Sequence, residues 1–534
     1  SHELFVAPEG HDENDGLTPQ TPLKTIRAAT LKGYATWETP LVIHLAPGVY
    51  SRTTNGETFP VYLFSNIVLN GSERDQVIVN AENTNSVIEL YQGHSTRVEH
   101  LTVTGGRNLD GGGILIETPS DLTVSDCLIS YNHAGSIGGG IGCFGGDLSC
   151  FDTVFYRNSS KSWGGGISHQ YDRLNVNNCE FLENQSIETY GGGIDCRYSD
   201  LIQVTNSYFA HNSAYHDGGG MSLYNCPFLL HNCEFLSNST RHFLGEGGGL
   251  RILQSDQNEP CSIFRCKFTD NRARSGGGLY ACCEEQVPTI LDCVFDGNQA
   301  EKYGGGLSIN GSLKLINNLI INNSAYKGGG IFATESAAEI VNSTIADNHA
   351  NYVGGVFCRD EGNISLVNSV IYRNEHKSIE AEDSAPTASF CDIQWGFEGP
   401  GNISEDPLFI APSNSDYRLS HIATGAPGNS PCIDSGNGLP ESATFSFAGL
   451  DRSLAKYTTR SDHVQDTNLT DMGYHYPIPG ETLHPSVVLE MTPIIQSTKP
   501  FHLNARLFNP TDRVIEYPFS LLNKSGMTYS YWPD

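Results

Sequence analysis

The chain has 534 residues, with 31 lysines and arginines against 60 aspartates and glutamates, for a formal net charge of −29. A surface of that sign repels nucleic acid and anionic membranes, and no segment approaches the ~20 apolar residues of a membrane span, so the sequence excludes nucleic acid as a partner and membrane insertion. Its 57 glycines, 25 prolines and rare helix-favouring segments predict an all-β protein with many turns.

Residues 1–60 are predicted to form an N-terminal cap and the first strands. The segment TPLKTIRAATLKGY carries Leu23, Ile26 and Leu31 at near-helical spacing. This spacing predicts a short amphipathic helix that covers the end of an apolar column and protects the sheet edge there.

An acidic turn precedes this helix. Its residues Asp12, Asn14 and Asp15 offer the oxygen ligands that calcium prefers. A calcium site is one interpretation of this turn and a solvated acidic surface is the other; the sequence indicates no further cofactor.

The middle of the chain is built from a repeat. A triple glycine recurs at intervals of 24 to 29 residues, in step with ten copies of a motif that reads Asn or Asp, a small residue, any residue, Phe or Ile, two residues and Asn. The triplets begin at Gly111, Gly138, Gly164, Gly191, Gly218, Gly247, Gly276, Gly304 and Gly328, and a pair begins at Gly354. A period near 27 with short alternating runs predicts a right-handed parallel β-helix of about ten regular coils, which we place within residues 61–478.

The alternation predicts which side chains point inward. The residues after the glycines, such as Ile194 and Met221, and the phenylalanines, such as Phe209, should stack in interior columns. The last Asn of each motif, such as Asn212, should form a ladder in which each side-chain amide bonds to those of the neighbouring coils. The glycines suit a turn with positive φ or a close approach of two backbones. A phosphate-binding loop is excluded, because no copy has the strand-to-helix context with a following lysine.

These paired Phe-x-x-Asn and Gly-Gly-x-Ile/Leu/Val repeats, over about residues 100–375, resemble those of the polymorphic outer-membrane protein adhesins and of related secreted, pectate-lyase-like β-helix proteins. The resemblance implies the β-helical fold and an extracellular or cell-surface location. No transmembrane barrel follows the repeats, which departs from the adhesin pattern. The Asn-Thr-Asp, paired Asp, Gly-His-Gly and Arg-Ile-Lys set of the polygalacturonases is also missing, and this counts against that catalytic machinery.

Beyond the repeats, Glu375 to Ala388 is polar and is predicted to be an irregular excursion, and residues 389–478 are predicted to close the helix. Residues 479–534 contain four short alternating runs, which predict a small β-rich C-terminal segment. It is either a small module, part of a longer domain, or strands completed by a neighbour.

Fifteen cysteines are distributed over the coils. Several occupy small inward sites, which favours buried thiols over disulfides. The pairs Cys143–Cys150, Cys261–Cys266 and Cys391–Cys432 are the candidates for disulfides.

Aromatic side chains precede many of the triplets and suggest a strip on which sugar rings lie, with simple shielding of the coil edge as the alternative. The candidate ligand-binding residues are Trp163, Tyr190, Tyr215, His216, Tyr303, Tyr326 and Tyr352.

A second candidate site lies on outward positions after the glycines. Asp195, Arg197, Tyr224 and Arg251 combine a carboxylate, cations and a phenol, as in polysaccharide lyases, where a base removes a proton and a cation neutralises the uronate. An ion-paired solvent face is the alternative.

Two functions from different classes follow. The first is an extracellular or cell-surface structural or binding protein, an acidic rod that is adhesin-like and either binds glycans or self-associates. The second is a polysaccharide lyase or glycoside hydrolase acting on one face of the coils.

Overall fold

The computed structural model describes residues 2–478 except 37, 119, 255–260, 284–286, 441–443, 448–449 and 455–456, and beyond them the strands at 488–492, 504–508, 520–522 and 528–530. Contacts divide the chain into two compact units, residues 1–476 and 477–534. The first unit is a parallel β-solenoid, in which each strand pairs in parallel with the strands one coil before and one coil after it. The all-β class is therefore confirmed.

Each regular coil contributes four strands, which stack into four ribbons numbered in the order in which the chain enters them after a triple glycine. Ribbon 1 consists of Val61–Leu63, Ile88–Leu90, Ile114–Ile116, Ile141–Cys143, Ile167–Gln170, Ile194–Arg197, Met221–Tyr224, Leu250–Gln254, Leu279–Cys283, Leu307–Gly311, the first part of Ile331–Val341, Val356–Arg359 and Ile379–Glu382. Ribbon 2 consists of Glu3–Val6, Leu41–Leu45, Ile67–Gly71, Thr96–Glu99, Leu122–Ser125, Leu148–Phe151, Arg173–Asn177, Leu201–Thr205, Phe228–His231, Cys261–Phe264, Thr289–Leu291, Lys314–Ile316, the rest of Ile331–Val341, Asn363–Val367 and Thr387–Ser389.

Ribbon 3 consists of Gly48–Ser51, Val77–Asn80, Thr102–Thr104, Leu128–Ser130, Val154–Tyr156, Glu180–Leu182, Tyr208–Ala210, Glu234–Leu236, Lys267–Thr269, Val294–Asp296, Leu319–Ile321, Thr344–Ala346, Val370–Tyr372 and Asp392–Ile393. Ribbon 4 is short and consists of Arg107–Asn108, His133–Ala134, Ser159–Ser160, Gln185–Ser186, Ser213–Ala214, Ser239–Thr240, Arg272–Ser275, Gln299–Tyr303, Ser324–Ala325 and His349–Ala350.

The solenoid has more coils than the repeat indicates. About 13 coils pass through ribbon 1, against the predicted ten, because coils without the triple glycine keep the same parallel pairing. The segment 375–388 is also not an irregular excursion: Ile379–Glu382 pairs with Val356–Arg359, and Thr387–Ser389 pairs with Asn363–Val367. Ile379, Ala381 and Ala388 pack on the core, so the inward positions of these strands are apolar although most of the segment is polar. The predicted domain boundaries at 60 and 478 stay predictions.

The interior columns are confirmed. Phe155, Phe181, Phe209, Phe235, Phe268 and Phe295 form one stack with ring centroids 4.6 to 4.8 Å apart. Each ring is fully buried, which contributes roughly 1.5–3 kcal/mol per side chain. Fourteen of the cysteines are buried as well, and the three candidate pairs are thiols rather than disulfides.

The asparagine ladder is also confirmed, and it makes more bonds than predicted. Asn212 donates from Nδ2 to Asn238 Oδ1 (3.0 Å) and to the Phe181 carbonyl (2.8 Å). Its Oδ1 accepts from the backbone N–H of Asn184 (2.9 Å) and from the Asn184 side chain (3.1 Å). The ladder therefore satisfies both the side chains and the backbone at a buried bend.

The glycines have the two predicted roles. The first of each triplet has positive φ, as in Gly218 at 64°. A Cβ on the second, Gly219, would lie 2.4 Å from the Gly248 carbonyl oxygen of the next coil. The turn therefore needs glycine for its backbone conformation and for the close approach of coils.

One helix, Ile26–Lys32, covers the N-terminal end, with the Thr25 side chain accepting from the Ala28 N–H as its cap. Leu23 and Ile26 are buried as predicted, but Leu31 is 74% exposed. Ala29 takes the buried position instead, because it lies three residues after Ile26 and so shares its face.

No described strand of residues 394–476 joins the four ribbons; this segment packs on the outside of ribbon 3 through Tyr417 and Tyr474 and on ribbon 2 through Tyr457. It contains the 3-10 helices Pro412–Asn414 and Ile422–Thr424 and the paired strands Phe409–Ala411 with Asp416–Leu419, Thr444–Phe447 with Leu450–Ser453, and Tyr457–Thr458 with Tyr476–Pro477. The segment is fastened by the Asn317 Nδ2 to His475 carbonyl bond (2.9 Å) and the Tyr457 hydroxyl to Asp292 Oδ2 bond (2.7 Å). We call residues 394–476 the closing segment.

The second unit contains four described strands. Val488–Thr492 pairs antiparallel with Asn504–Phe508, and Ser520–Leu522 pairs antiparallel with Thr528–Ser530. In the parts of the chain that the structure describes, no helix has the length and apolar character needed to cross a bilayer.

Candidate functional site

Two outward columns of side chains run along the solenoid where each triple glycine leads into ribbon 1. The pre-glycine column holds the residue just before each triplet: Asp110, Ile137, Trp163, Tyr190, Asp217, Glu246, Ser275, Tyr303 and Lys327. The post-glycine column holds the second residue after each triplet: Leu115, Gly142, Ser168, Asp195, Ser222, Arg251, Tyr280, Ser308 and Phe332. Pairing of Asp195 with Ser222 and of Ser222 with Arg251 fixes the register. The triplet is so short that the two columns lie side by side.

Two carboxylates in these columns are ion-paired to arginines. Asp195 Oδ2 lies 2.7 Å from Arg197 Nε, and Asp195 is fully buried. Asp217 Oδ2 lies 3.4 Å from Arg251 Nε, and both side chains are about nine-tenths buried. Burial raises the pKa of Asp195 and of Asp217, whereas the paired arginine acts in the opposite direction at each. The two pairs together carry no net charge.

Aromatic rings surround the first of these arginines. The Arg197 guanidinium carbon lies 4.0 Å from the centre of the Trp163 ring, 5.0 Å from that of Tyr190 and 5.6 Å from that of Tyr224. Arg251 lies 5.4 Å from the Tyr190 ring. Such cation–π contacts hold the guanidinium planes in place.

Glu246 adds an acid to this cluster. It follows Asp217 in the pre-glycine column, and its backbone N–H donates to Asp217 Oδ1 (3.0 Å). Burial and then the negative charge of Asp217 raise the pKa of Glu246 to about 7, whereas Arg251 and the Tyr280 hydroxyl lower it. Burial raises the pKa of Tyr280 well above its usual range, so this phenol stays protonated. Glu246 is therefore a half-buried carboxyl that keeps its proton near neutral pH.

Two histidines flank the carboxylates. The His216 and His242 rings lie 4.2 Å apart, and His216 lies 5.8 Å from Tyr190. Burial and then the charge of His242 lower the pKa of His216. Tyr215 packs edge-on to His216 at 5.1 Å and is 39% exposed. These groups place a hydrogen-bonding rim beside Asp217.

The structure thus brings all four predicted charged and phenolic residues, Asp195, Arg197, Tyr224 and Arg251, to one face of consecutive coils. We call the set Asp195, Arg197, Asp217, Glu246 and Arg251 the carboxylate–arginine cluster.

The predicted aromatic strip is not one ladder. Trp163, Tyr190, Tyr215 and His216 lie at the carboxylate–arginine cluster. Farther along the solenoid, Tyr303 stacks on Phe332 at 4.3 Å, the Lys327 Nζ lies 4.8 Å from the Tyr352 ring, and Tyr326 is exposed. The strip is interrupted because the spacer between Asn and the triplet varies in length, so that aromatics in different coils do not reach the same position.

The three residues of the predicted calcium site form hydrogen bonds with nearby backbone groups. Asp12 Oδ1 accepts from the N–H groups of Lys24 and Thr25 (2.9 Å each), and Asp15 Oδ1 accepts from the Leu17 N–H (3.1 Å). Asn14 donates from Nδ2 to the Pro22 carbonyl (2.8 Å). A calcium ion at this turn stays a prediction.

Sequence reasoning missed Asp217, Glu246 and Tyr280. An alignment of the coils on their triple glycines reveals a pattern that could have identified Asp217 and Glu246. The position before the triplet changes from aromatic at Trp163 and Tyr190 to acidic at Asp217 and Glu246. The two acids are missed when only aromatic residues are considered at the position before the triplet.

The comparisons assign the family. The family model described as right handed beta helix region matches residues 65–260, 140–325 and 248–394, which together cover more than half of the chain. The chain therefore belongs to the right-handed β-helix family. A curated relative, metabotropic glutamate receptor-like protein P of Dictyostelium discoideum, is 26% identical over 300 residues. The match covers 54% of this chain and 20% of that protein, so the chain spans about a fifth of the relative's length.

Several solved structures are similar over much of the chain. The A-module of an Azotobacter vinelandii mannuronan C-5 epimerase is 11% identical, with coverage of 72% of this chain and 93% of that one and a TM-score of 0.33. The catalytic unit of a Streptomyces thermodiastaticus α-1,3-glucanase is 12% identical, with coverage of 68% and 63% and a TM-score of 0.25. No function follows from likenesses of this size.

Proposed function

We propose that this chain is a polysaccharide-cleaving enzyme and that the carboxylate–arginine cluster is its active site. The observation that carries the proposal is the convergence of three carboxylates and two arginines on one outward face of neighbouring coils. Ionisable groups are costly to bury and are concentrated at functional sites.

The charge of the cluster favours a neutral glycan over a uronate polymer. Arg197 and Arg251 are each matched by a carboxylate, so neither supplies a surplus positive charge for an anionic sugar. The chain's net charge of −29 repels anionic polymers in addition. Hydrolysis of a neutral polysaccharide therefore fits better than elimination at a uronate.

Two carboxyl groups can divide the work of hydrolysis. Glu246 holds a proton near neutral pH and donates it to the glycosidic oxygen as the bond from that oxygen to the anomeric carbon breaks. Asp217, ionised beside Arg251, accepts a proton from the water that adds to the anomeric carbon. The Tyr215 ring, which is 39% exposed beside His216, offers apolar surface against which a sugar ring packs.

The test is a panel of neutral and anionic polysaccharides, assayed in parallel for new reducing ends and for the ultraviolet absorbance of unsaturated products. Wild type should release reducing ends without unsaturated products from at least one neutral glycan. Glu246→Gln should lower the rate by about 100-fold or more. The matched control Glu188→Gln removes an exposed carboxylate paired with Lys161 at 3.6 Å and should leave the rate unchanged. Cleavage that survives Glu246→Gln would overturn the assignment, and unsaturated products would indicate a lyase.

A second candidate, an adhesin-like glycan-binding or self-associating surface protein, is favoured by the exposed aromatics at the coil edge, namely Tyr326 and Tyr352. It predicts binding to a glycan without cleavage, lost in a Tyr326→Ala, Tyr352→Ala double variant but kept in Glu246→Gln. An extracellular or cell-surface location, supported by the likeness of the repeats to those of secreted adhesins, is proposed for either function.

A further inference from the structure

A second group of carboxylates lies in the closing segment, away from the carboxylate–arginine cluster. Asp434, Asp466 and Asp471 each place one carboxylate oxygen within 4.8 Å of one from each of the others, and in the described part of the chain no other such group of histidine, cysteine, aspartate or glutamate forms. Asp466 and Asp471 are buried, whereas Asp434 is exposed. The group therefore has a buried floor and one open side.

Two of the three carboxylates are held in place by neighbours. Asp471 Oδ1 accepts from the Asp434 N–H (2.7 Å), and its Oδ2 accepts from the Thr459 hydroxyl. Asp466 Oδ2 accepts from the Asp471 N–H (2.9 Å). These bonds orient the group before any ligand arrives, which lowers the cost of binding.

Asp466 also carries an unused acceptor. Its Oδ1 is buried and has no hydrogen-bond partner among the residues that the structure describes, although the residue is only 3% exposed. An ionised oxygen buried without a partner is costly, and a bound cation is one of the few groups that can satisfy it.

Buried His475 packs against the same group. Its Nδ1 lies 2.9 Å from the Gly473 carbonyl and its Nε2 lies 3.3 Å from Asp466 Oδ2. Asp466 Oδ2 therefore already has the Asp471 N–H and the His475 ring as neighbours, which leaves Oδ1 as the oxygen open to a ligand.

We propose that Asp434, Asp466 and Asp471 bind one divalent, oxygen-preferring cation of the calcium type. Hard cations take carboxylate and carbonyl oxygens, and all the side chains offered here are carboxylates. The cation joins the stretch around Asp434 to the stretch from Asp466 to Asp471, which is anchored to the coils by the bond from His475 N–H to Asn317 Oδ1 (2.6 Å). Its role is to fasten the closing segment onto the solenoid, independently of any activity on polysaccharides.

The test is calcium binding to the whole chain after treatment with EGTA, measured by isothermal titration calorimetry and by thermal unfolding. One Ca²⁺ should bind per chain, and saturating Ca²⁺ should raise the unfolding temperature by about 3 °C or more. Asp434→Asn is the preferred variant, because this side chain is exposed and asparagine tolerates its positive φ of 55°. We expect this variant to bind Ca²⁺ at least tenfold more weakly.

Two controls make the result decisive. Asp75→Asn removes a carboxylate that is 83% exposed and should leave calcium binding unchanged. Asp15→Asn tests the N-terminal acidic turn. Wild-type protein that shows neither binding heat nor a thermal shift with Ca²⁺ would overturn the proposal. So would binding that is kept in Asp434→Asn and lost in Asp15→Asn.

Discussion

The interior of the solenoid and its pre-glycine column are built from the same coils, yet they follow opposite rules. Inside, neighbouring coils carry the same residue, as in the stack of Phe181, Phe209 and Phe235 with centroids 4.7 Å apart. Outside, neighbouring coils carry Tyr190, Asp217 and Glu246 at equivalent positions. Identical residues stabilise a repeat because each contact is reproduced at every coil. The pre-glycine column abandons this identity, and it is there that we place the proposed active site.

The interior rule can be broken by Phe209→Ala. The ring fills a column between two others, and its removal leaves a cavity that the neighbouring coils cannot close. We expect the free energy of unfolding to fall by about 4 kcal/mol, measured by urea denaturation. Phe209→Leu should cost less than half as much, and equal losses in both variants would contradict the cavity explanation.

The outward residues Asp195 and Arg197 can be replaced by the residues that the preceding coil carries at the equivalent positions. Arg197→Gln alone leaves Asp195 buried without its 2.7 Å partner and should lower the free energy of unfolding by about 3 kcal/mol. Asp195→Ser with Arg197→Gln gives this coil the Ser and Gln that the preceding coil carries at positions 168 and 170.

The double variant should lie within about 1 kcal/mol of wild type in urea denaturation while losing cleavage of the polysaccharide. Stability and activity would then separate in one chain. A double variant as unstable as Arg197→Gln would show that the coil needs the ion pair for its fold.

The asparagine ladder provides a test of the polar interior. Asn212→Ala removes an amide that bonds to Phe181, Asn184 and Asn238, and so leaves buried groups without partners. A loss of about 2 kcal/mol is expected from urea denaturation. Gln203→Ala, at an exposed position of ribbon 2, serves as the control and should change stability by less than about 0.5 kcal/mol.

The last prediction concerns pH. The folded pKa of Glu246 lies near 7, above the ordinary 4.5, so the folded chain holds this proton more tightly than the unfolded chain does. Ionising Glu246 therefore costs the folded state stability as pH rises from about 4.5 to about 7. Glu246→Gln removes this cost, and its stability relative to wild type should increase by up to about 3 kcal/mol across that window and stay constant above it. A difference that does not change with pH would contradict the raised pKa.

Much of the fold was predictable because the repeat displays it many times. Ten copies of the motif place Phe209 and Asn212 in their columns, since each copy is an independent indication of the same geometry. The coils outside the repeat were not predictable in this way: the segment around Ile379–Glu382 lacks the triple glycine, and its inward residues Ile379 and Ala381 alone are too few to identify a strand.

The candidate site was predictable only in part. Asp195 and Arg197 alternate along one strand, so their shared face follows from the period of a strand. Asp217 and Glu246 precede the glycines, where the chain turns, and their relation to Arg251 depends on the packing of different coils. The acidic group of the closing segment joins residues 434 and 471, whose proximity no local pattern encodes.

The stacking of coils also sets the dimensions of anything the molecule binds. Each coil contributes one side chain to a column, and successive coils are about 4.8 Å apart. Equivalent side chains therefore recur along the solenoid at a constant spacing. Insertion of one whole coil between Asp217 and Glu246 would separate them by one further step while leaving the interior columns intact. A solenoid of this kind can therefore change the spacing of its outward side chains without redesigning its core.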